Sequence, residues 1–122
     1  MSEPAYKSQE LFVPELLLSR LMEDRDLMRE VLDACLPDLR TNHRLFSSQL
    51  ESGDLREALR TIHTIKGSAQ NADLKSLAFL ARDIEEHLKN GQAVEALALL
   101  GELSRVVGAS VQAVEGYFLA EK

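Results

Sequence analysis

The 122-residue sequence predicts an all-α fold, an up-and-down antiparallel four-helix bundle with an additional short N-terminal helix. Three observations predict it. Leucine (22) and alanine (13) dominate, while tryptophan is absent and proline occurs three times, a composition that suits helices better than strands. Apolar residues recur every three or four positions along most of the chain. The connections between these stripes are short, which sets neighbouring helices antiparallel. A single domain over residues 1–122 accommodates the pattern, since domains commonly run to about 100–150 residues. Residues 1–10 are polar and are expected to fray.

The elements follow in order. Pro14 suits the first turn of a short helix reaching Met22, because its missing N–H would be unpaired there anyway; Leu17, Leu18 and Leu21 form its buried side. Asp24 is placed to cap a long second helix over 25–52, with Leu27, Val31, Ala34, Leu39, Leu45, Phe46 and Leu50 as its apolar positions. Pro37 lies inside that helix and predicts a kink near Ala34–Pro37, with a full break as the alternative. Gly53 ends it. Asp54 and Glu57 have capping-box spacing and open a third helix with Leu55, Ala58, Leu59, Ile62, Ile65 and Ala69 on one face. Asp73 is expected to cap a fourth helix, whose stripe is Leu74, Leu77, Ala78, Ala81, Ile84 and Leu88; Asn90-Gly91 stops it. A fifth helix over about 92–119 buries Ala96, Leu97, Leu100, Leu103, Val107, Val111, Val114 and Phe118, weakened locally by Gly108 and Gly116.

Composition bounds the function. Fourteen Lys+Arg against 20 Asp+Glu give a net charge of −6, which argues against a general nucleic-acid binder because phosphate contacts need a basic field. One cysteine, Cys35, excludes an intrachain disulfide framework and a multi-cysteine zinc site. It lies on the second helix without a basic neighbour and reads as buried structure. No apolar run approaches the roughly 20 residues of a membrane span, and Met1-Ser2-Glu3-Pro4 lacks a signal-peptide pattern. The expectation is a cytoplasmic monomer with neither nucleic acid nor membrane as partner.

No phosphate-binding glycine loop, nucleophile elbow or H-E-x-x-H motif is present. His43, His63 and His87 fall on three different helices, and none has a second His or Cys at i+3 or i+4, so no metal pair is expected. His63 differs from the other two in its neighbours. At about 100° per residue it lies roughly 110° from the centre of its helix's apolar stripe, at the edge of the core face. Arg56, Arg60, His63 and Gly67 share a strip, and Lys66 is one turn away. A helical side chain leans over the turn before it, so residue 67 would partly cover His63. Glycine there leaves the imidazole open at a cost of about 1 kcal/mol in helix propensity. Close approach of another helix is the competing reason for Gly67. The three cations disfavour a protonated ring, which keeps the imidazole nucleophilic, and they would stabilise a phosphoryl group placed on it.

The segment His63-Thr64-Ile65-Lys66-Gly67-Ser68-Ala69 resembles the signature of histidine-containing phosphotransfer (HPt) domains of two-component phosphorelays, His-x-(Leu/Ile)-Lys-Gly-small-small. Asn71, then Leu77, Ala81, Ile84 and Glu85, continue the likeness, and Leu50-Glu51-Ser52-Gly53-Asp54 resembles the turn before the histidine helix. The resemblance spans residues 11–118. Asp73 departs from it, since the family usually has glycine there, and Ala72 is smaller than the usual apolar residue. The resemblance implies that His63, through Nε2, accepts a phosphoryl group from a receiver-domain aspartate and passes it to another receiver. Lys66 would sit near the phosphoryl oxygens, Gly67 would keep the approach open, and Ser68, Gln70 and Arg60 would support the site. Receiver domains of response regulators or of a hybrid sensor histidine kinase are the implied partners. The domain would need no cofactor of its own, with Mg²⁺ on the receiver. Arg56, Phe79 and Arg82 are candidate docking residues, with Lys89 extending the basic rim. Phe79 projects roughly opposite its helix's stripe. The alternatives are a receiver-binding adaptor that carries no phosphate and a phosphoacceptor domain excised from a hybrid or chemotaxis-type kinase.

Overall fold

A computed structural model describes residues 3–120, and these residues form helices and turns with no strand. After a 3-10 turn at Ala5–Ser8 come α1 (Pro14–Arg20), α2 (Arg25–Glu51), α3 (Leu55–Asn71), α4 (Lys75–Lys89), α5 (Ala93–Ala98) and α6 (Leu100–Ala120). The most extensive pairing is α3 with α4, followed by α2 with α3. Helix α6 packs on both α2 and α4 and closes the core. Phe46, Met28, Leu32, Ile62, Ile65, Leu77, Leu80, Ile84 and Leu103 are fully buried there.

Several local signals act as expected. Pro14 opens α1. The Asp24 carboxylate caps α2 by accepting the Leu27 N–H at 3.0 Å. Gly53 and Gly91 adopt the left-handed backbone (φ +81° and +71°) that ends α2 and α4. Helix α2 continues through Pro37 as one element, so the full break does not occur. Its buried stripe is Met28, Leu32, Leu39, Phe46 and Leu50, with Leu27, Ala34 and Leu45 exposed. The pairs Leu27/Met28, Val31/Leu32 and Leu45/Phe46 make the apolar arc wider than one contact face, and packing against α3 and α6 selects the second member of each.

Other expectations are corrected. Residues 5–10 are not frayed; Met1 and Ser2 lie outside the described residues. Tyr6 is only 3 % exposed, and its hydroxyl donates to Glu102 Oε2 at 2.6 Å. Ser76 Oγ donates to the Tyr6 carbonyl at 2.8 Å, and Ser76 N–H to the Glu10 carbonyl at 2.9 Å. The N-terminal segment thereby satisfies the first turn of α4, whose own cap, Leu74, has no capping side chain. Asp73 is not the cap. Its backbone is left-handed (φ +54°), which is the conformation that glycine adopts most readily. Its carboxylate instead accepts from Arg20, whose Nη2 lies 2.6 Å away and also donates to the Asn71 carbonyl at 2.8 Å. Asp54 precedes α3 but makes no capping bond, and Glu57 faces Arg60 at 3.6 Å instead. The expected fifth helix is two. Leu99 N–H bonds back to Ala96 at 3.1 Å, and the α-helical ladder restarts with Leu103 N–H on the Leu99 carbonyl at 2.9 Å. The break leaves Leu97 exposed while Ala96 and Leu103 stay buried, and α6 runs on through Gly108 and Gly116.

Glu102 carries a pH dependence. Hydrogen bonds from Arg105 and Tyr6 outweigh its desolvation and hold its carboxyl down at about 2, against an ordinary 4.5. A carboxyl held low in the fold contributes stability that is complete above its ordinary value and is lost as pH falls through its folded value. Urea unfolding of the wild type is therefore expected to weaken between pH 4.5 and 2. The Glu102→Gln variant starts less stable at pH 7 and shows a shallower decline. Tyr6→Phe is expected to cost about 1–2 kcal/mol at pH 7, since it removes a hydrogen bond to a charged acceptor.

Candidate functional site

The helical hairpin of α3 and α4 brings one imidazole against one buried carboxylate. His63 stands on the exposed edge of α3, one position past the fully buried Ile62, and its side chain is 67 % exposed. Its Nδ1 lies 2.6 Å from Glu85 Oε2 on α4. Glu85 sits beside Ile84 in the buried face of α4 and is 2 % exposed. Its other oxygen, Oε1, accepts from Lys66 Nζ at 2.6 Å. Lys89, one turn further along α4, approaches Oε2 at 3.9 Å. Burial alone would push the Glu85 carboxyl up. Hydrogen bonds from Lys66 and His63, with the charges of Lys66 and Lys89, outweigh it and hold the carboxyl below its ordinary range.

This arrangement orients the ring. A carboxylate can only accept, so Nδ1 carries the proton of the neutral imidazole. The lone pair is then on Nε2, which has no hydrogen-bond partner among the described residues. A concavity of about 470 Å³ opens beside the ring, lined by Leu59, Arg60, His63, Thr64, Glu85 and Lys89. Gly67 borders open space, because a Cβ built on it would meet nothing within 4 Å. Close helix approach is thus excluded as the reason for this glycine.

The remaining expected residues separate into groups. Arg60 lines the concavity and is 77 % exposed. Arg56 is exposed on the same helix. Gln70 is exposed two turns beyond His63, where its carbonyl is 3.4 Å from Arg20 Nη2. Ser68 is turned away from the imidazole. Its carbonyl faces Cys35 Sγ at 3.8 Å, and it lines a separate groove with Val31, Asp38 and Asn71. Phe79 is half-buried rather than free, packs against the core, and is covered by the Arg82 guanidinium at 4.5 Å from its ring centre. Cys35 is half-buried, and burial followed by the Asp38 charge pushes its thiol up to about 11. His43 is 2.8 Å from Ser104 Oγ, and His87 Nδ1 is 2.8 Å from Gln92 Oε1. Neither approaches a second imidazole, and no cluster of three potential metal ligands occurs among the described residues.

Glu85 is the residue that sequence reading failed to place in the site. The signal was present: an acidic residue in a stripe that otherwise reads Leu77, Ala81, Ile84, Leu88, and Lys89 four residues on.

A chain of this architecture, with an accessible histidine on an all-helical hairpin, matches the Hpt domain family over residues 15–115. The chain belongs to the Hpt domain family. Hpt domains are phosphocarriers of two-component phosphorelays and interact with receiver domains. No curated relative and no solved structure matches the chain significantly. No helix among the described residues is long and apolar enough to cross a membrane.

Two outcomes follow from this geometry. Nitrogen NMR of the neutral ring is expected to report the Nδ1–H tautomer in the wild type and its loss in Glu85→Leu. Gly67→Ala is expected to raise folding stability by about 1 kcal/mol, since no neighbour opposes the added methyl. A destabilised variant would mean that the space over His63 is not open.

Proposed function

We propose that this Hpt domain carries a phosphoryl group on His63, received from one receiver-domain aspartate and delivered to another. The observation that carries the reading is the pairing of His63 Nδ1 with buried Glu85, on a ring whose Nε2 faces outward. In the forward step the Nε2 lone pair attacks phosphorus of an aspartyl phosphate. The P–N bond forms as the P–O bond breaks, and the aspartate carboxylate leaves. The Nδ1 proton stays in place, so the phosphorylated ring is cationic and Glu85 lies against it. In the reverse step the ring leaves as neutral imidazole, and no proton has to be moved in either direction.

Glu85 and Lys66 are positioning residues in this account. Glu85 fixes the tautomer, and Lys66 keeps that carboxylate ionised despite its burial. Gly67 leaves the approach open to the partner's active site. Arg60 and the exposed Arg56 give the face a positive field toward an acid-rich receiver pocket, despite the net charge of −6. Mg²⁺ belongs to the receiver in this reading, and the domain acts as a cytoplasmic monomer. Phe79 and Arg82 form one stacked unit on α4 that a docking receiver could cover.

The test is transfer of label from a panel of phosphorylated receivers. Wild type is expected to take up acid-labile, base-stable label, and His63→Gln to take up none. Equal labelling of the variant would overturn the assignment and return attention to His43 and His87. Gly67→Ala, folded and stabilised, is expected to transfer at least tenfold more slowly. Binding of a receiver without label on any histidine would favour the adaptor reading.

A further inference from the structure

We infer that Lys89 is the cation that pairs with the phosphoryl group on His63, while Lys66 remains bound to Glu85. The inference rests on His63 as the phosphoacceptor and assigns a residue to that same site.

The two lysines flank one carboxylate but are not equivalent. Lys66 is 20 % exposed and donates to Glu85 Oε1 at 2.6 Å, a full charge-assisted hydrogen bond. Moving its ammonium onto a phosphoryl group would strand a carboxylate that is 2 % exposed, and an uncompensated buried charge is strongly unfavourable. Lys89 is 50 % exposed, and at 3.9 Å from Oε2 it is beyond hydrogen-bond reach. It can leave Glu85 without leaving it unpaired, because Lys66 and His63 Nδ1 still hold both oxygens.

Position agrees with charge. Lys89 lines the concavity beside the His63 ring. Lys66 does not line it. Arg60 does, but its guanidinium is turned toward Glu57 at 3.6 Å on its own helix. A phosphoryl group adds up to about two negative charges and three acceptor oxygens. The Lys89 ammonium lines that space, and its release costs the buried carboxylate a nearby charge but no hydrogen bond.

The test loads His63 without a receiver, so its outcome is independent of whether a partner has been found. Phosphoramidate donates its phosphoryl group directly: a P–N bond to His63 Nε2 forms, the donor P–N bond breaks, and ammonia leaves. Phosphorus NMR then follows the ionisation of the bound phosphoryl group with pH in wild type, Lys89→Gln, Lys89→Arg and Lys66→Gln. A cation beside the phosphoryl group favours its more charged form. The midpoint is expected to rise by about half a pH unit in Lys89→Gln, to stay at the wild-type value in Lys89→Arg, and to move less in Lys66→Gln. Coincident titrations of wild type and Lys89→Gln would overturn the inference, as would a larger shift in Lys66→Gln. Neither result would touch the relay reading, which fails instead if labelled wild type transfers to no receiver. Absence of a phosphoryl signal on His63 would sink both.

Discussion

A single carboxylate organises this molecule's chemistry. Glu85 lies in the buried face of α4, in a position that packing alone would fill with a leucine or isoleucine. An ionised group there is tolerable only when every oxygen is paired. Lys66 and His63 provide that pairing from α3, so the hairpin contact and the orientation of the imidazole are one event. Buried ion pairs rarely add net stability, and an apolar replacement of similar volume is often as good or better. The presence of the pair is therefore better explained by what it does to the ring than by what it does for the fold. It fixes a proton on Nδ1 and turns a lone pair toward solvent.

The helix around it follows from the same requirement. His63 needs a rigid platform and an open approach. Ile62, Ile65 and Ala69 secure the platform by full burial of one face. In the proposed relay Gly67 leaves the approach open, and it gives up helix propensity in a 17-residue helix that packs along its length on α2 and α4. The space above it is empty, so no neighbouring helix requires the glycine.

The far end of the hairpin is held by different means. The α3–α4 turn places Asp73 in a left-handed conformation, which a side-chain-bearing residue adopts at some cost. Arg20 offsets it, binding the Asp73 carboxylate and the carbonyl of Asn71 at the end of α3, where a cation also suits the helix dipole. The N-terminal segment then takes over the capping of α4 through Ser76.

The sequence by itself determined the helical class, most element ends and the candidate histidine, because these depend on local quantities: apolar period, left-handed glycines, a capping aspartate, and a His-x-x-Lys-Gly spacing that puts three groups on one strip. Signals with two local solutions stayed undecided. Leu27 and Met28 are both apolar, and only the neighbours α3 and α6 choose between them. Asp73 looks like a cap in sequence and becomes an acceptor for Arg20, 53 residues away. Residues 5–10 look frayed because Tyr6 finds its partner, Glu102, 96 residues on. Glu85 continues the family likeness in sequence, but nothing there places it against His63. Its burial, and with it the tautomer of His63 and its contacts with Lys66 and Lys89, exists only once α4 lies against α3. Pairing between helices is a property of distance in space, and no spacing within either helix encodes it.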